Sequence, residues 1–146
     1  MTTANSLAVE LLKKEEGFRA TPYYCSEGYP TIGYGLKIGN KNDPLPKTST
    51  TQEEAEKVLR DLVKALEVRL NSIVGYNSCT FARQAVLISI AYQIGFTGLL
   101  KFKNMLSAIE KQEYMVAADC MLDSLAARQT PERWMRNAKV MRTGVM

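Results

Sequence analysis

Three side chains that could share acid–base chemistry lie near the start of the chain. Glu16, Cys25 and Thr31 fall within EEGFRATPYYCSEGYPTIGYG, residues 15–35, at steps of nine and six. Glu16 stands at the predicted end of a helix, because Gly17 follows it directly. Cys25 and Thr31 stand on the two sides of a predicted hairpin. A carboxyl group, a thiol and a hydroxyl arranged in this way could donate a proton and hold a water molecule.

The sequence contains no histidine, which narrows the possible chemistry. Its absence excludes Ser-His-Asp and Cys-His catalytic groups and zinc bound by imidazole. Cys25, Cys79 and Cys120 show no zinc-site spacing and are expected to be reduced thiols. We predict neither a metal nor a cofactor, so carboxylates, lysine, tyrosine and cysteine must carry any acid–base chemistry.

The composition is typical of a folded domain. The chain has 146 residues, of which 46% are hydrophobic and 23% charged, enough for one domain with a real core. The longest apolar run, residues 85–91, is too short to span a bilayer. The first residues, MTTANSLAVELLKKEEG, lack the pattern of a signal peptide. We therefore expect a protein made in a cytoplasm without a signal peptide.

Positive charge is concentrated at the end of the chain. The formal net charge is +4, and the residues from Arg128 onward carry five basic side chains against Glu132, which is again +4. A basic end favours polyanions such as nucleic acid, anionic lipid or wall polymers. The same pattern also fits a helix face that is simply solvated, and the two interpretations are about equally supported.

Hydrophobic spacing predicts a mostly helical chain. We expect helices over residues 5–16, from a Thr51 capping box to about residue 74, over 80–94, 99–111 and 114–127, and from Pro131 with Thr130 as N-cap. Residues 18–38 change to a strand pattern, and Pro30 predicts that its strand lies at a sheet edge.

These elements predict an α+β fold that is mostly α-helical. We expect one domain over residues 1–146 with two lobes. A small N-terminal lobe, about residues 15–60, would carry the hairpin. A long helix would join it to a larger helical lobe, about residues 61–146, together with the N-terminal helix.

Three segments resemble a known family. The spacing Glu-x8-Cys-x5-Thr with GYPTIGYG around the threonine is similar to the phage T4-type lysozyme family, which comprises muramidases and phage endolysins. AVLISIAYQIGFTGLLKFKNML is similar to the central-helix segment of that family, and QTPERWMRNAKVMRTG to its C-terminal segment. The resemblance covers roughly residues 7–144 and implies a lysozyme-like fold.

The resemblance also implies roles for the three side chains of the N-terminal segment. Glu16 would be the general acid, Thr31 would help to hold the attacking water, and Cys25 would occupy a position most often held by aspartate. The substrate would be the β-1,4 bond between N-acetylmuramic acid and N-acetylglucosamine in peptidoglycan, cleaved with inversion.

Further residues follow from the same resemblance. Arg133 would form an ion pair with the catalytic glutamate and dock the last helix beside the cleft. The saccharide groove would be lined by Glu27, Tyr92 and Gln93. The chain departs from the family in the type of residue at three groove positions, which are Lys37, Met105 and Cys120.

Cys25 leaves several chemical roles open. A thiol is a weaker hydrogen-bond acceptor than a carboxylate and is uncharged unless ionised. Cys25 could therefore orient water poorly as a thiol, orient it better as a thiolate, attack the sugar as a nucleophile, or contribute nothing.

Three functions are compatible with the sequence. The first is a monomeric phage endolysin that degrades peptidoglycan, binds no nucleic acid, and leaves the host cytoplasm through a separate holin-type pore. The second is a homologue that binds the wall without cleaving it. The third is a cationic protein that disrupts anionic lipid or lipopolysaccharide through residues 128–146.

Overall fold

The computed structural model describes residues 2–146, which form a mostly helical protein with one small antiparallel sheet. Eight α-helices and three β-strands occur in this described part, in the order α1 (Ala4–Glu16), β1 (Arg19–Tyr24), β2 (Pro30–Gly33), β3 (Leu36–Lys37), α2 (Gln52–Leu70), α3 (Phe81–Ile94), α4 (Phe96–Leu100), α5 (Lys103–Glu110), α6 (Tyr114–Leu122), α7 (Leu125–Gln129) and α8 (Pro131–Thr143). The predicted α+β, mostly helical fold is confirmed.

The chain divides into two compact units. The N-terminal unit comprises residues 9–62, and the C-terminal unit comprises residues 63–146 together with the chain up to Ala8. Helices α1 and α2 each contribute residues to both units. None of the helices within residues 2–146 is long and apolar enough to cross a membrane.

The sheet of the N-terminal unit has the strand order β1-β2-β3, so β2 is its central strand. The prediction that the strand with Pro30 lies at an edge is therefore wrong. Pro30 is the first residue of β2, and at that position a missing N–H costs no ladder hydrogen bond. The short strand β3, which the alternation pattern did not reveal, pairs with the free side of β2.

Helix α2 begins as predicted and ends earlier. The Thr51 hydroxyl accepts a hydrogen bond from the N–H of Glu54 at 3.1 Å, which confirms Thr51 as the cap. The helix ends at Leu70, four residues before the predicted end, and turns follow up to the 3-10 helix Tyr76–Ser78. Ile73 lies in the turn after the helix and is buried there. It therefore continues the apolar spacing although it is not part of the helix.

Helix α3 forms the core of the C-terminal unit, as predicted for residues 80–94. Thr80 caps its start by accepting a hydrogen bond from the N–H of Arg83 at 3.2 Å. Helix α8 packs against α3 and α6 and buries Trp134, Ala138 and Met141 completely.

The helices predicted over residues 99–111 and 114–127 are each two helices. The first prediction spans the end of α4 and all of α5, and the second spans α6 and the start of α7. Phe102 lies in the first break and stacks on Trp134, with ring centroids 5.6 Å apart. In the second break the Ser124 hydroxyl caps α7 by accepting from the N–H of Ala127 at 3.1 Å.

Thr130 precedes α8 as predicted, but its side chain makes no capping bond to that helix. Its hydroxyl donates to the carbonyl of Ala126 at 3.3 Å instead. The preceding helix α7 ends at Gln129, and the Ala126 carbonyl in its last turn accepts hydrogen bonds from both the hydroxyl and the N–H of Thr130.

Candidate active site

Helix α1 delivers Glu16 as its last residue. Gly17 ends the helix with φ 69°, and its N–H donates to the carbonyl of Lys13 at 3.1 Å. The half-buried Glu16 side chain lies against Gly35, which has φ 73°. A Cβ on Gly35 would come within 2.9 Å of Cδ of Glu16. The glycine therefore leaves the space that the carboxylate occupies.

Four side chains share one face of the hairpin. Tyr23 on β1 lies directly opposite Thr31 on β2. Two residues closer to the turn, the N–H of Cys25 donates to the carbonyl of Tyr29 at 3.0 Å, so these two residues also face each other. Side chains two residues apart on a strand point to the same side. Cys25 and Thr31 are consequently diagonal neighbours on one face, and Tyr23 and Tyr29 complete that face.

The turn between β1 and β2 is fixed by its own hydrogen bonds. The N–H of Gly28, which has φ 86°, donates to the carbonyl of Cys25 at 2.9 Å. The loop after β3 supports the turn, because the N–H of Asn42 donates to the carbonyl of Gly28 at 2.9 Å. The hydroxyl of Tyr24 donates to the carbonyl of Asp43 at 2.8 Å. Cys25 is thus held in a well-defined position.

Thr31 is bound to the hairpin through its hydroxyl. The residue is only 2% exposed, and Oγ1 donates to the carbonyl of Tyr29 at 2.8 Å. The hydroxyl also lies close enough to the thiol of Cys25 to influence its pKa. A water molecule that binds one of these two side chains would therefore meet the other as well.

The surroundings of Cys25 favour its thiolate. Partial burial raises the pKa of the Cys25 thiol, but hydrogen bonds from the backbone N–H groups of Tyr29 and Glu27 lower it. The hydroxyl of Thr31 and the positive charge of Lys37 lower it further. The net result is a pKa below the ordinary cysteine value of 9.0, which enlarges the fraction of thiolate at neutral pH.

The charges of both Glu16 and Cys25 influence the pKa of the Tyr23 hydroxyl. Burial raises the pKa of the Tyr23 hydroxyl, and the charge of Glu16 raises it further. The guanidinium of Arg19, 4.4 Å from the ring centroid, lowers this pKa, and the charge of Cys25 raises it. Glu16 and Cys25 therefore act on the same hydroxyl. Sequence reasoning treated Tyr23 only as part of a tyrosine-rich hairpin, although its position two residues before Cys25 indicates a shared face.

The other predicted residues are divided between the two units. Glu27 belongs to the N-terminal unit, where it is exposed in the turn. Tyr92, Gln93 and Arg133 belong to the C-terminal unit. The structure thus brings together Glu16, Cys25 and Thr31, while the ion pair between Glu16 and Arg133 stays a prediction.

Helices α3 and α8 hold the polar residues of the C-terminal unit. Nη2 of Arg133 donates to Oγ of Ser89 at 3.4 Å. Nε2 of Gln93 donates to Oγ1 of Thr130 at 3.2 Å. The second amide atom of Gln93, Oε1, is buried and accepts no hydrogen bond from residues 2–146.

A depression of about 300 Å³ lies elsewhere in the C-terminal unit. It is lined by Lys101, Phe102, Lys103, Asn104, Met105, Cys120 and Asp123. The residues at 105 and 120 are two of the positions at which the chain departs from the expected groove pattern. The part of the chain that the structure describes contains no group of three Cys, Asp or Glu residues able to hold a metal ion.

Comparison with known proteins assigns the fold to a family. The phage lysozyme family model matches residues 13–136. The chain belongs to the phage lysozyme family. The matched segment includes all seven predicted site residues, and the predicted family is confirmed. Membership makes this phage lysozyme a glycosidase whose substrate is peptidoglycan.

Three relatives are similar over nearly the whole chain. Probable T4-type lysozyme 1 of Dictyostelium discoideum is 28% identical over 94% of this chain and 94% of the relative. Probable T4-type lysozyme 2 of the same organism is 26% identical with the same coverage. The pre-baseplate central spike protein Gp5 of Enterobacteria phage T4 is 32% identical over 96% of this chain, which corresponds to 28% of Gp5.

Proposed function

We propose that this phage lysozyme is an inverting muramidase in which Glu16 is the general acid. It would cleave the β-1,4 bond between N-acetylmuramic acid and N-acetylglucosamine, with the attacking water positioned by Cys25 and Thr31. The observation that carries the proposal is that Cys25 and Thr31 share one face of the hairpin while the Glu16 carboxyl group lies against Gly35, between strands β2 and β3 of the same sheet. It supports a proton donor and a water-binding group that serve one site.

In the proposed reaction one side chain donates a proton and another accepts one. Glu16 gives its proton to the glycosidic oxygen while the bond from that oxygen to the anomeric carbon breaks. Water attacks the same carbon from the opposite face and loses a proton to the Cys25 thiolate. The acid ends as a carboxylate and the thiolate as a thiol, and exchange with solvent restores both. Attack from the opposite face inverts the configuration.

The C-terminal unit would contribute substrate contacts. In this proposal Glu27, Tyr92 and Gln93 line the saccharide groove. Arg133 would form an ion pair with Glu16. Its position on α8, with a hydrogen bond to Ser89, supports a fixed guanidinium in that role.

The biological role that fits this reaction is host lysis by a monomeric endolysin. We propose that the enzyme reaches peptidoglycan through a holin-type pore made by a separate protein. Contact with anionic lipid or lipopolysaccharide is supported by the exposed Arg136 and Lys139 on α8. Insertion into lipid is disfavoured, because the apolar side of α8 is buried within its own unit.

Mass spectrometry of the soluble products from purified peptidoglycan tests the enzymatic proposal. The wild type should release muropeptides with new reducing muramic ends, and Glu16→Gln should reduce this release by about 10²–10⁴-fold. Glu10→Gln is the matched control, since it removes an exposed carboxylate from the same helix. Anhydro ends would indicate a lytic transglycosylase instead.

The same variants separate the other two functions. A protein that binds the wall without cleaving it would pellet with peptidoglycan and release no products. Killing by membrane disruption would persist in Glu16→Gln and disappear when Arg136 and Lys139 are both neutralised. Proton NMR of the first product anomer would test inversion.

A further inference from the structure

Lys37 lies on the catalytic face of the sheet, although the proposed reaction assigns it no role. The register pairs Lys37 on β3 with Thr31 on β2, and Thr31 in turn with Tyr23 on β1. Residues directly opposite each other in a sheet carry their side chains on the same face. Lys37 therefore shares the face of the hairpin that carries Cys25.

The ammonium group of Lys37 is held in place by an aromatic ring. Its Nζ lies 4.3 Å from the centroid of the Tyr29 ring, a cation–π distance. Tyr29 is also the cross-strand partner of Cys25, because its carbonyl accepts the Cys25 N–H at 3.0 Å. The Lys37 side chain is exposed. The Tyr29 ring nevertheless keeps its positive charge next to Tyr29, the residue that lies opposite Cys25.

We propose that Lys37 is a positioning residue that enlarges the thiolate fraction of Cys25, and that this thiolate is the group that holds the attacking water. The inference rests on the proposed function of Cys25. Ionisation breaks only the S–H bond and releases the proton to solvent, so no further reactant is required.

The chemistry of sulfur explains the need for a cation here. A carboxylate is ionised at neutral pH without help, whereas an ordinary cysteine is mostly a neutral thiol and a weak acceptor. The fall in the Cys25 pKa comes from two backbone N–H groups, the Thr31 hydroxyl and Lys37. Of these four contributors, Lys37 has the smallest effect on the pKa and is the one that carries a full charge.

The charged and titratable groups around Cys25 come from four elements. Tyr23 on β1 stands beside it, and Glu27 in the turn donates its backbone N–H. Glu16 at the end of α1 carries a negative charge that raises the pKa of Tyr23. Lys37 on β3 supplies the opposing positive charge.

The ionisation of Cys25 can be measured without relying on activity. We suggest following alkylation by iodoacetamide against pH and quantifying the Cys25 peptide by mass spectrometry. Lys37→Met keeps the aliphatic stem and removes the charge, whereas Lys37→Arg keeps the charge. The midpoint for Cys25 should rise by about 0.2–0.7 pH unit in Lys37→Met, the range for an exposed charge pair, and return in Lys37→Arg. The buried Cys79 serves as internal control, since its midpoint should not move.

Hydrolysis of purified peptidoglycan against pH tests the link to the reaction. In Lys37→Met, product release at a pH below the Cys25 alkylation midpoint should fall by about 1.6–5-fold, because the thiolate fraction falls by that factor. In a Cys25→Asp background the same lysine substitution should leave product release at neutral pH unchanged, because an aspartate with an ordinary pKa of about 3.9 is ionised there with or without Lys37.

Two results would overturn the inference. The first is an unchanged Cys25 midpoint in Lys37→Met, and the second is a shifted midpoint with unchanged product release below that midpoint. Failure of the proposed function gives a different result, since the wild type would then release no products at any pH while the alkylation profiles could still be read.

Discussion

Gly35 lies directly against the carboxyl group of Glu16, without a side chain between them. Its φ of 73° is a conformation that favours glycine, and a Cβ there would lie 2.9 Å from Cδ and 3.1 Å from Cγ of Glu16. The backbone at Gly35, just after β2, thus restricts the positions that the Glu16 carboxyl group can occupy. Catalytic geometry tolerates little displacement, so this contact makes a direct test of Glu16 possible.

Gly35→Ala should reduce activity far more than it reduces stability. We expect a loss of about 1–2 kcal/mol in unfolding free energy from the positive φ, and a fall in product release of about 10²-fold from displacement of the acid. Gly17→Ala is the control, since its φ is 69° and no atom lies within 4 Å of the added Cβ. Thermal unfolding and release of reducing ends measure the two effects. Equal losses of activity in both variants would contradict the prediction.

Thr31→Val should damage both the hairpin and the reaction. The hydroxyl is the donor to the Tyr29 carbonyl at 2.8 Å, and its loss should cost about 1–3 kcal/mol. Thr31→Ser keeps the hydroxyl and should retain most activity. Urea unfolding gives the stability, and hydrolysis well below the unfolding temperature gives the activity. Full activity in the valine variant would show that Thr31 does not hold the water.

The pair Lys13–Glu56 should make the N-terminal unit sensitive to acid. The hydrogen bond from Lys13, at 3.1 Å, lowers the pKa of Glu56 below its ordinary value of 4.5. A folded-state pKa below the unfolded value stabilises the fold above about pH 4.5, and this contribution is lost as the pH falls through the folded pKa.

Lys13→Met should therefore make the loss of stability at acid pH smaller than in the wild type. The difference between urea midpoints at about pH 6 and about pH 3 should be smaller than in the wild type. Arg60→Met is the control, because Arg60 has a weaker effect on the Glu56 pKa than Lys13 has. An unchanged difference in Lys13→Met would rule out this pair as a source of acid sensitivity.

Local signals in the sequence predict the start and end of several elements. Gly17 marks the end of α1, and the hydroxyls of Thr51 and Thr80 mark the starts of α2 and α3. Each signal works within four residues, so it is readable without knowledge of the tertiary structure.

Tertiary contacts decide the features that the sequence did not reveal. No glycine or proline marks the break at Phe102, which is accompanied by stacking of that ring on Trp134. The position of Pro30 in a central strand depends on the two-residue strand β3. Helical periodicity does not reveal either feature. Phe102 and Trp134 are far apart in the sequence, and β3 is too short to form a pattern.

In the candidate site, too, the sequence predicts some features and tertiary contacts decide the others. The spacing of Glu16, Cys25 and Thr31 predicts acid–base chemistry through its resemblance to the phage T4-type lysozyme family. The contributions of Tyr23 and Lys37 follow only from the register of three strands. Sequence spacing alone cannot show that residues from β1 and β3 share a face, because the register depends on a bulge in β1 between Arg19 and Tyr23.

Arg83 connects α3 to the end of α8, the helix that carries Arg133. Its Nε donates to the carbonyl of Met141 at 2.7 Å, and Nη2 donates to that of Arg142 at 3.1 Å. The guanidinium also lies 3.7 Å from the centroid of the Tyr114 ring. The two terminal carbonyls of α8 thus receive donors that the helix itself cannot supply.

Arg83→Met should release the last turn of α8. We expect a loss of about 1–3 kcal/mol in unfolding free energy and faster amide hydrogen exchange near the end of the helix. Arg142→Met is the matched control, since its ion pair with Asp119, at 3.2 Å, is exposed and should contribute less than about 1 kcal/mol. If both variants lost the same stability, the carbonyl contacts of Arg83 would contribute no more than an exposed ion pair.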